Sequence, residues 1–161
     1  MNVNVKAENT KLTTTGNLYI GGAFMGAKTS LIFNKEGTSL DKIVNTYQEI
    51  NPTVLSTADN SSGTNGSLTL HEVTESYQAG LQTKKTGLDA LPASGRPNFN
   101  GSLSELRNNS QYWDAHTSAT PQNLQITENV YDINGNRINT YQGATKVDYT
   151  LRNGTVIMTY P

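Results

Sequence analysis

Residues 68–82 leave the least freedom in how this chain can be read. Leu70, Val73, Tyr77 and Leu81 recur at spacings of three and four, the pattern of one helical face. Read as a strand, Leu68, Leu70 and Glu72 would share a face, and the apolar alternation would fail at Glu72. A helix is therefore expected over about 68–82, although Thr and Val are weak helix formers. Gly80 or Gly87 would end it. Positions i and i+4 of a helix lie one turn apart on the same side, so His71 and Glu75 point at one place. An imidazole and a carboxylate so placed are two ready ligands for zinc, with Glu72 beside them as a base.

His71-Glu72-Val73-Thr74-Glu75 has the form H-E-x-x-E, a relative of the H-E-x-x-H signature in which glutamate replaces the second histidine. The bland alternative is a solvated helix face that happens to carry these charges. The chain has only two histidines, and the other, His116, lies in the one segment with a tryptophan, Gln111-Tyr112-Trp113-Asp114-Ala115-His116-Thr117. Aromatic bulk anchors a segment to a core, which would make His116 a third ligand. Three protein ligands and a water are the usual complement of a catalytic zinc. Asp114 is a candidate outer partner for an imidazole nitrogen, or else a turn cap. Taken alone, His116 reads sooner as a lone surface or half-buried histidine than as a ligand; the two histidines together favour a metal site.

At 161 residues the chain is expected to form a single domain spanning 1–161, with 34% hydrophobic residues and a modest core under a polar, loop-rich surface. A net charge of −1 with no basic run argues against nucleic acid or an anionic membrane as partner. No apolar run reaches bilayer length, so no membrane span is expected. The absence of cysteine excludes disulfides, thiolate zinc sites and a cysteine nucleophile. Met1 to Lys6 lacks the apolar stretch of a signal peptide, so export would need another route or a larger polypeptide.

The remainder reads as mixed α and β. Residues 17–20 and 30–33 are rich in strand formers, with Gly21, Gly22 and Gly26 breaking the chain between them, so a hairpin or a pair of twisted strands is expected over 17–34. Leu40, Ile43, Val44, Tyr47 and Ile50 follow a capping pattern at helical spacing, which predicts an amphipathic helix over 39–50 that covers the sheet and ends at Pro52. Residues 56–67 read as a polar loop, and 84–110 as a long connection with Leu103, Leu106 and a helical turn at 102–108. Asn134-Gly135 and Asn153-Gly154 signal tight primed hairpins. Strands over 126–131, 137–141, 146–151 and 155–160 would form a C-terminal antiparallel meander.

The stretch from Leu70 to Gly80, then Tyr112-Trp113-Asp114-Ala115-His116 and Ala119-Thr120-Pro121-Gln122, resembles metallopeptidase-type domains at the C-terminal ends of large secreted bacterial proteins, Rhs/YD-repeat polymorphic toxins among them. Such domains are similar to zincins, in which a sheet is followed by an active-site helix bearing the ligand pair. The likeness covers roughly residues 67–122. It implies an α+β, zincin-like fold, zinc held by His71, Glu75 and His116, and Glu72 as general base. It also implies a protein or peptide substrate, secretion or delivery to a target cell, and an immunity protein as partner. Under this reading an oxyanion donor would come from Tyr112, Tyr77 or Arg107. A reading from another class is a non-enzymatic, β-rich extracellular or virion structural or adhesion module with incidental histidines. A third keeps the fold and gives the metal a stabilising role alone.

Overall fold

A computed structural model of the chain describes residues 1–93, 110–122, 124–140 and 142–161. It is a mixed α+β fold with three helices and two sheets among the described residues. The first sheet comprises β1 (Asn2–Ala7), β2 (Gly22–Phe33) and β3 (Leu40–Ile50), in the order β1-β3-β2. β3 runs parallel to β1 and antiparallel to β2.

β3 occupies the segment expected to be a helix. Its buried face is Val44, Thr46, Gln48 and Ile50, and two of those four are polar. The strand alternation is therefore invisible to a count of apolar residues, whereas Leu40, Ile43, Val44 and Tyr47 mimic helical spacing. Hydrogen bonding to both neighbours and the β-branched Ile43, Val44 and Thr46 decide for strand. The hairpin or strand pair expected over 17–34 is also replaced. Leu18 makes only an isolated bridge to Leu12, and β2 pairs along its length with β3. Gly26 does not break β2. It sits at a register shift with φ 107°, a bulge that turns the strand.

Pro52 opens a helix instead of closing one. In α1 (Pro52–Ser62) it occupies the first turn, where its missing N–H costs nothing. Asn51 caps the helix by accepting a hydrogen bond from the Val54 N–H at 3.2 Å. Most of the expected polar loop is thus helical, held by buried Val54, Leu55 and Ala58, and the loop proper shrinks to 63–66. The helix expected over 68–82 is α2 (Ser67–Thr86). Gly87, at φ 74°, ends it and donates to the Thr83 carbonyl. Gly80 lies inside it, where a Cβ would stand 2.7 Å from Thr46 Cγ2 and 2.5 Å from Met1 Sδ.

α2 is inverted relative to the stripe that identified it. Leu70, Tyr77 and Leu81 are 51%, 45% and 39% exposed, and the face packed on the sheet carries Glu72, Ser76, Ala79, Gly80 and Thr83. The third helix, α3 (Ser110–Ser118), packs on α2. The small residues Ala27, Ala79, Ala90 and Ala115 meet Phe24 and Val44 between these layers, which lets backbones approach closely. Residues 84–86 belong to α2, and Ala90 bridges to Ala27. The expected turn at 102–108, with Leu103, Leu106 and Arg107, lies outside the described residues.

The C-terminal strands are β4 (Ile126–Tyr131), β5 (Arg137–Ile138), β6 (Lys146–Leu151) and β7 (Val156–Tyr160), all paired antiparallel. Their order is β5-β4-β6-β7, so β6 returns to the far side of β4 and the sheet is not a simple meander. Residue 141, the expected end of β5, lies outside the described residues. Both Asn-Gly turns form, but only Gly135 and Gly154 have positive φ. Each closes a three-residue hairpin with one left-handed glycine, not a primed two-residue turn. Val130, Val147, Tyr149, Leu151, Ile157 and Met158 bury this sheet against Val54, Leu55 and Ala58 of α1. No helix of the described residues is long and apolar enough to cross a membrane.

Candidate metal centre

The polar face of α2 is buried because α3 and the sheet both cover it. One turn of helix brings His71 and Glu75 together, and α3 brings His116 to them. One ligand atom from each lies within 4.8 Å of the others. His71 Nε2 is 3.3 Å from His116 Nδ1 and 3.7 Å from Glu75 Oε2. Ligand atoms about 2.0–2.1 Å from a tetrahedral zinc stand about 3.3 Å apart, so this spacing needs little adjustment to hold a cation. His116 Nδ1 also contacts Glu75 Oε2 directly. A carboxylate can only accept, so a proton lies between them, and a cation would take its place.

The ring orientations are set from outside the trio. The Thr120 carbonyl lies 2.6 Å from His71 Nδ1. A carbonyl has no proton to give, so Nδ1 carries the hydrogen and the Nε2 lone pair is left facing the cluster. His116 stands edge-on to His71 at 4.7 Å between ring centroids and to Trp113 at 5.8 Å. His71 and Glu75 are 2% exposed, but the His116 side chain is 26% exposed, so the centre opens to solvent on the α3 side.

Glu72 lies beside the trio, on the sheet side of α2. Gln48 Nε2 from β3 donates to its Oε2 at 2.6 Å. The carboxylate packs over Gly22, where a Cβ would lie 1.9 Å from the Glu72 carboxyl carbon, so only glycine leaves it room. Burial, helped by the charge of Glu75, pushes the Glu72 pKa up to about 8 against the pull of His71 and Gln48. Burial also works against charge on Glu75, but the hydrogen bonds of His116 and His71 outweigh it and hold that pKa below the usual carboxylate value. For His71, burial opposes protonation, yet Glu75, the Thr120 carbonyl and Glu72 together raise the pKa. Two buried carboxylates beside two imidazoles make a site whose electrostatics suit a divalent cation, and the N,N,O donor set fits zinc or a similar first-row ion.

The other expected residues divide. Tyr112, one turn before His116, is half-buried, with its ring 5.7 Å from His116 and 6.1 Å from Phe24. Burial and then the charges of Glu75 and Glu72 raise its pKa, so its phenol keeps a proton to donate. Tyr77 is 45% exposed on the far side of α2 and is no donor to this site. Asp114 does not hold an imidazole. It is exposed, because residues two apart on a helix point different ways, and the Thr120 carbonyl serves His71 instead. Trp113 is 39% exposed, so the bulk that anchors α3 is Tyr112. Gln48, Gly22 and Thr120 were not read as site residues from the sequence. The first two lie in strands, one of them read as helix, and the third acts through its backbone. Comparisons of the chain with protein-family profiles, curated proteins and solved structures found no match.

Proposed function

We propose that this chain is a zincin-like, zinc-dependent peptidase domain, an exported bacterial effector or toxin that hydrolyses peptide bonds. The observation that carries the reading is the convergence of His71 Nε2, Glu75 and His116 Nδ1 at metal-ligand spacing, with the buried Glu72 carboxylate beside them and outside the ligand group. A mixed sheet backing the helix that bears the ligand pair supports the zincin likeness. A bound zinc would supply a Lewis acid and a water acidified towards neutral pH.

The chain's own groups would do the rest. His71 and His116 present neutral nitrogens, and Glu75 adds one negative charge to the ligand set. Glu72 takes the proton of the attacking water on one oxygen while Gln48 steadies the other, then returns it to the leaving amine. An acid whose pKa lies near the working pH suits transfer in both directions. The Tyr112 phenol donates to the developing oxyanion. Delivery to a target cell and a neutralising immunity protein extend the same proposal.

Elemental mass spectrometry of the purified protein tests it, beside a His71→Ala/His116→Ala double variant. The expected result is about one zinc per chain in the wild type and none in the variant. Peptide-library hydrolysis by wild type and its loss in zinc-loaded Glu72→Gln would follow. A second reading has its own support, because the trio joins α2 to α3 and is largely buried. Chelator-sensitive folding with no hydrolysis of any library peptide would mean that the metal serves stability alone.

A further inference from the structure

Thr74 occupies the last free position of the H-E-x-x-E segment and touches no ligating atom of His71, Glu75 or His116; of these residues its hydroxyl meets the His71 backbone carbonyl, at 3.0 Å. Its hydroxyl donates to the Leu70 carbonyl of its own helix at 2.8 Å. The same oxygen accepts the Thr120 N–H at 3.0 Å, and the two threonine hydroxyls lie 3.3 Å apart. The Thr120 carbonyl in turn takes the His71 Nδ1 proton at 2.6 Å. Thr120 closes the turn that ends α3, where the Ala119 N–H bonds back to the His116 carbonyl at 3.3 Å. One clasp between α2 and this turn therefore touches both histidine-bearing elements.

We propose that Thr74 is a positioning residue of the metal centre. It holds Thr120 so that its carbonyl locks His71 with the proton on Nδ1 and Nε2 free to ligate, and it holds the end of α3 at the spacing His116 needs. The inference rests on the reading of His71, Glu75 and His116 as a metal centre, and it needs no assumption about hydrolysis. Fixing a ligand's tautomer and orientation before the ion arrives removes an ordering cost from binding. Loss of such an outer partner weakens metal binding about 10–100-fold. The Thr120 contribution comes from its backbone N–H and carbonyl.

The test compares zinc affinity, by competition with a chromogenic chelator, for wild type, Thr74→Val, Thr74→Ala and Thr74→Ser. Urea unfolding in excess chelator shows whether each variant folds, and Thr74→Ala serves should the valine variant fail. The second readout is the His71 Nδ1–H signal in long-range proton–nitrogen NMR of the zinc-loaded protein. A purely structural loss of stability would not selectively broaden that signal. The expected result is at least tenfold weaker zinc binding and an exchange-broadened Nδ1–H in the valine and alanine variants. Serine should restore both. Wild-type affinity with an intact Nδ1–H in folded Thr74→Val overturns the proposal and leaves the metal centre standing. A wild type that takes up no zinc overturns both.

Discussion

Replacing Glu72 by Gln should make the metal-free protein more stable, and by an amount that depends on pH. Glu72 is 9% exposed, receives one hydrogen bond, from Gln48, and faces a second carboxylate, Glu75. The native state therefore prefers it protonated, with its pKa raised from 4.5 to about 8. A raised folded-state value means that the stability of the neutral form is fully present below 4.5 and is lost as pH rises through about 8. At 1.36 kcal/mol per pH unit, the rise to about 8 corresponds to a loss of roughly 5 kcal/mol by pH 9. Glutamine has nearly the same shape, can still accept from Gln48 and cannot ionise.

The assay is urea unfolding in excess chelator at pH 5, 7 and 9, followed by far-UV circular dichroism and by the fluorescence of the single tryptophan, Trp113. At pH 5 the two proteins should agree within about 1 kcal/mol, and at pH 9 Glu72→Gln should be the more stable by about 3–5 kcal/mol. Contributions of Glu75 are present in both proteins and largely cancel in the difference. Adding zinc should narrow the gap, because a cation beside Glu72 favours the charged form. A stability difference that stays constant from pH 5 to pH 9 would show that Glu72 titrates as an ordinary carboxyl and that its burial does not favour the neutral form.

Two other substitutions probe how the site is held. Gly80→Ala should destabilise by about 1–3 kcal/mol in urea, despite a gain of up to about 1 kcal/mol in helix propensity, because its Cβ would meet Thr46 and Met1. Equal or greater stability of the variant would show that α2 and the sheet can separate freely. Asp59→Ala should cost about 2–3 kcal/mol by the same measurement. The α2 N-cap position is Gly66, which has no side chain to cap with. The buried Asp59 carboxylate accepts from the Leu68 N–H and from the Thr64 and Ser67 hydroxyls instead. A loss below about 0.5 kcal/mol would mean that water or the backbone supplies the cap.

What could be read from residues alone were the features with local causes. A 3.6-residue period made 68–82 a helix, which lies inside the observed Ser67–Thr86, and the same geometry put His71 and Glu75 on one side of it. Glycines after Asn134 and Asn153 marked two hairpins because the left-handed region favours residues without a Cβ. Everything that depended on what lies across the chain was decided by tertiary structure. β3 looked helical because its inner face carries Thr46 and Gln48, whose burial makes sense only once Ser76 and Glu72 are opposite them. Ser56 to Ser62 looked like a loop because helix propensity is a weak prior, and the cap at Asn51 and the packing of Leu55 override it. The apolar stripe of α2 predicted the element but not the face, since the covering layers select the side that bears the carboxylates. The convergence of His116 with His71, 45 residues apart, belongs to the same class. Periodicity reports which residues share a face, whereas packing determines which face is removed from water and what meets it there.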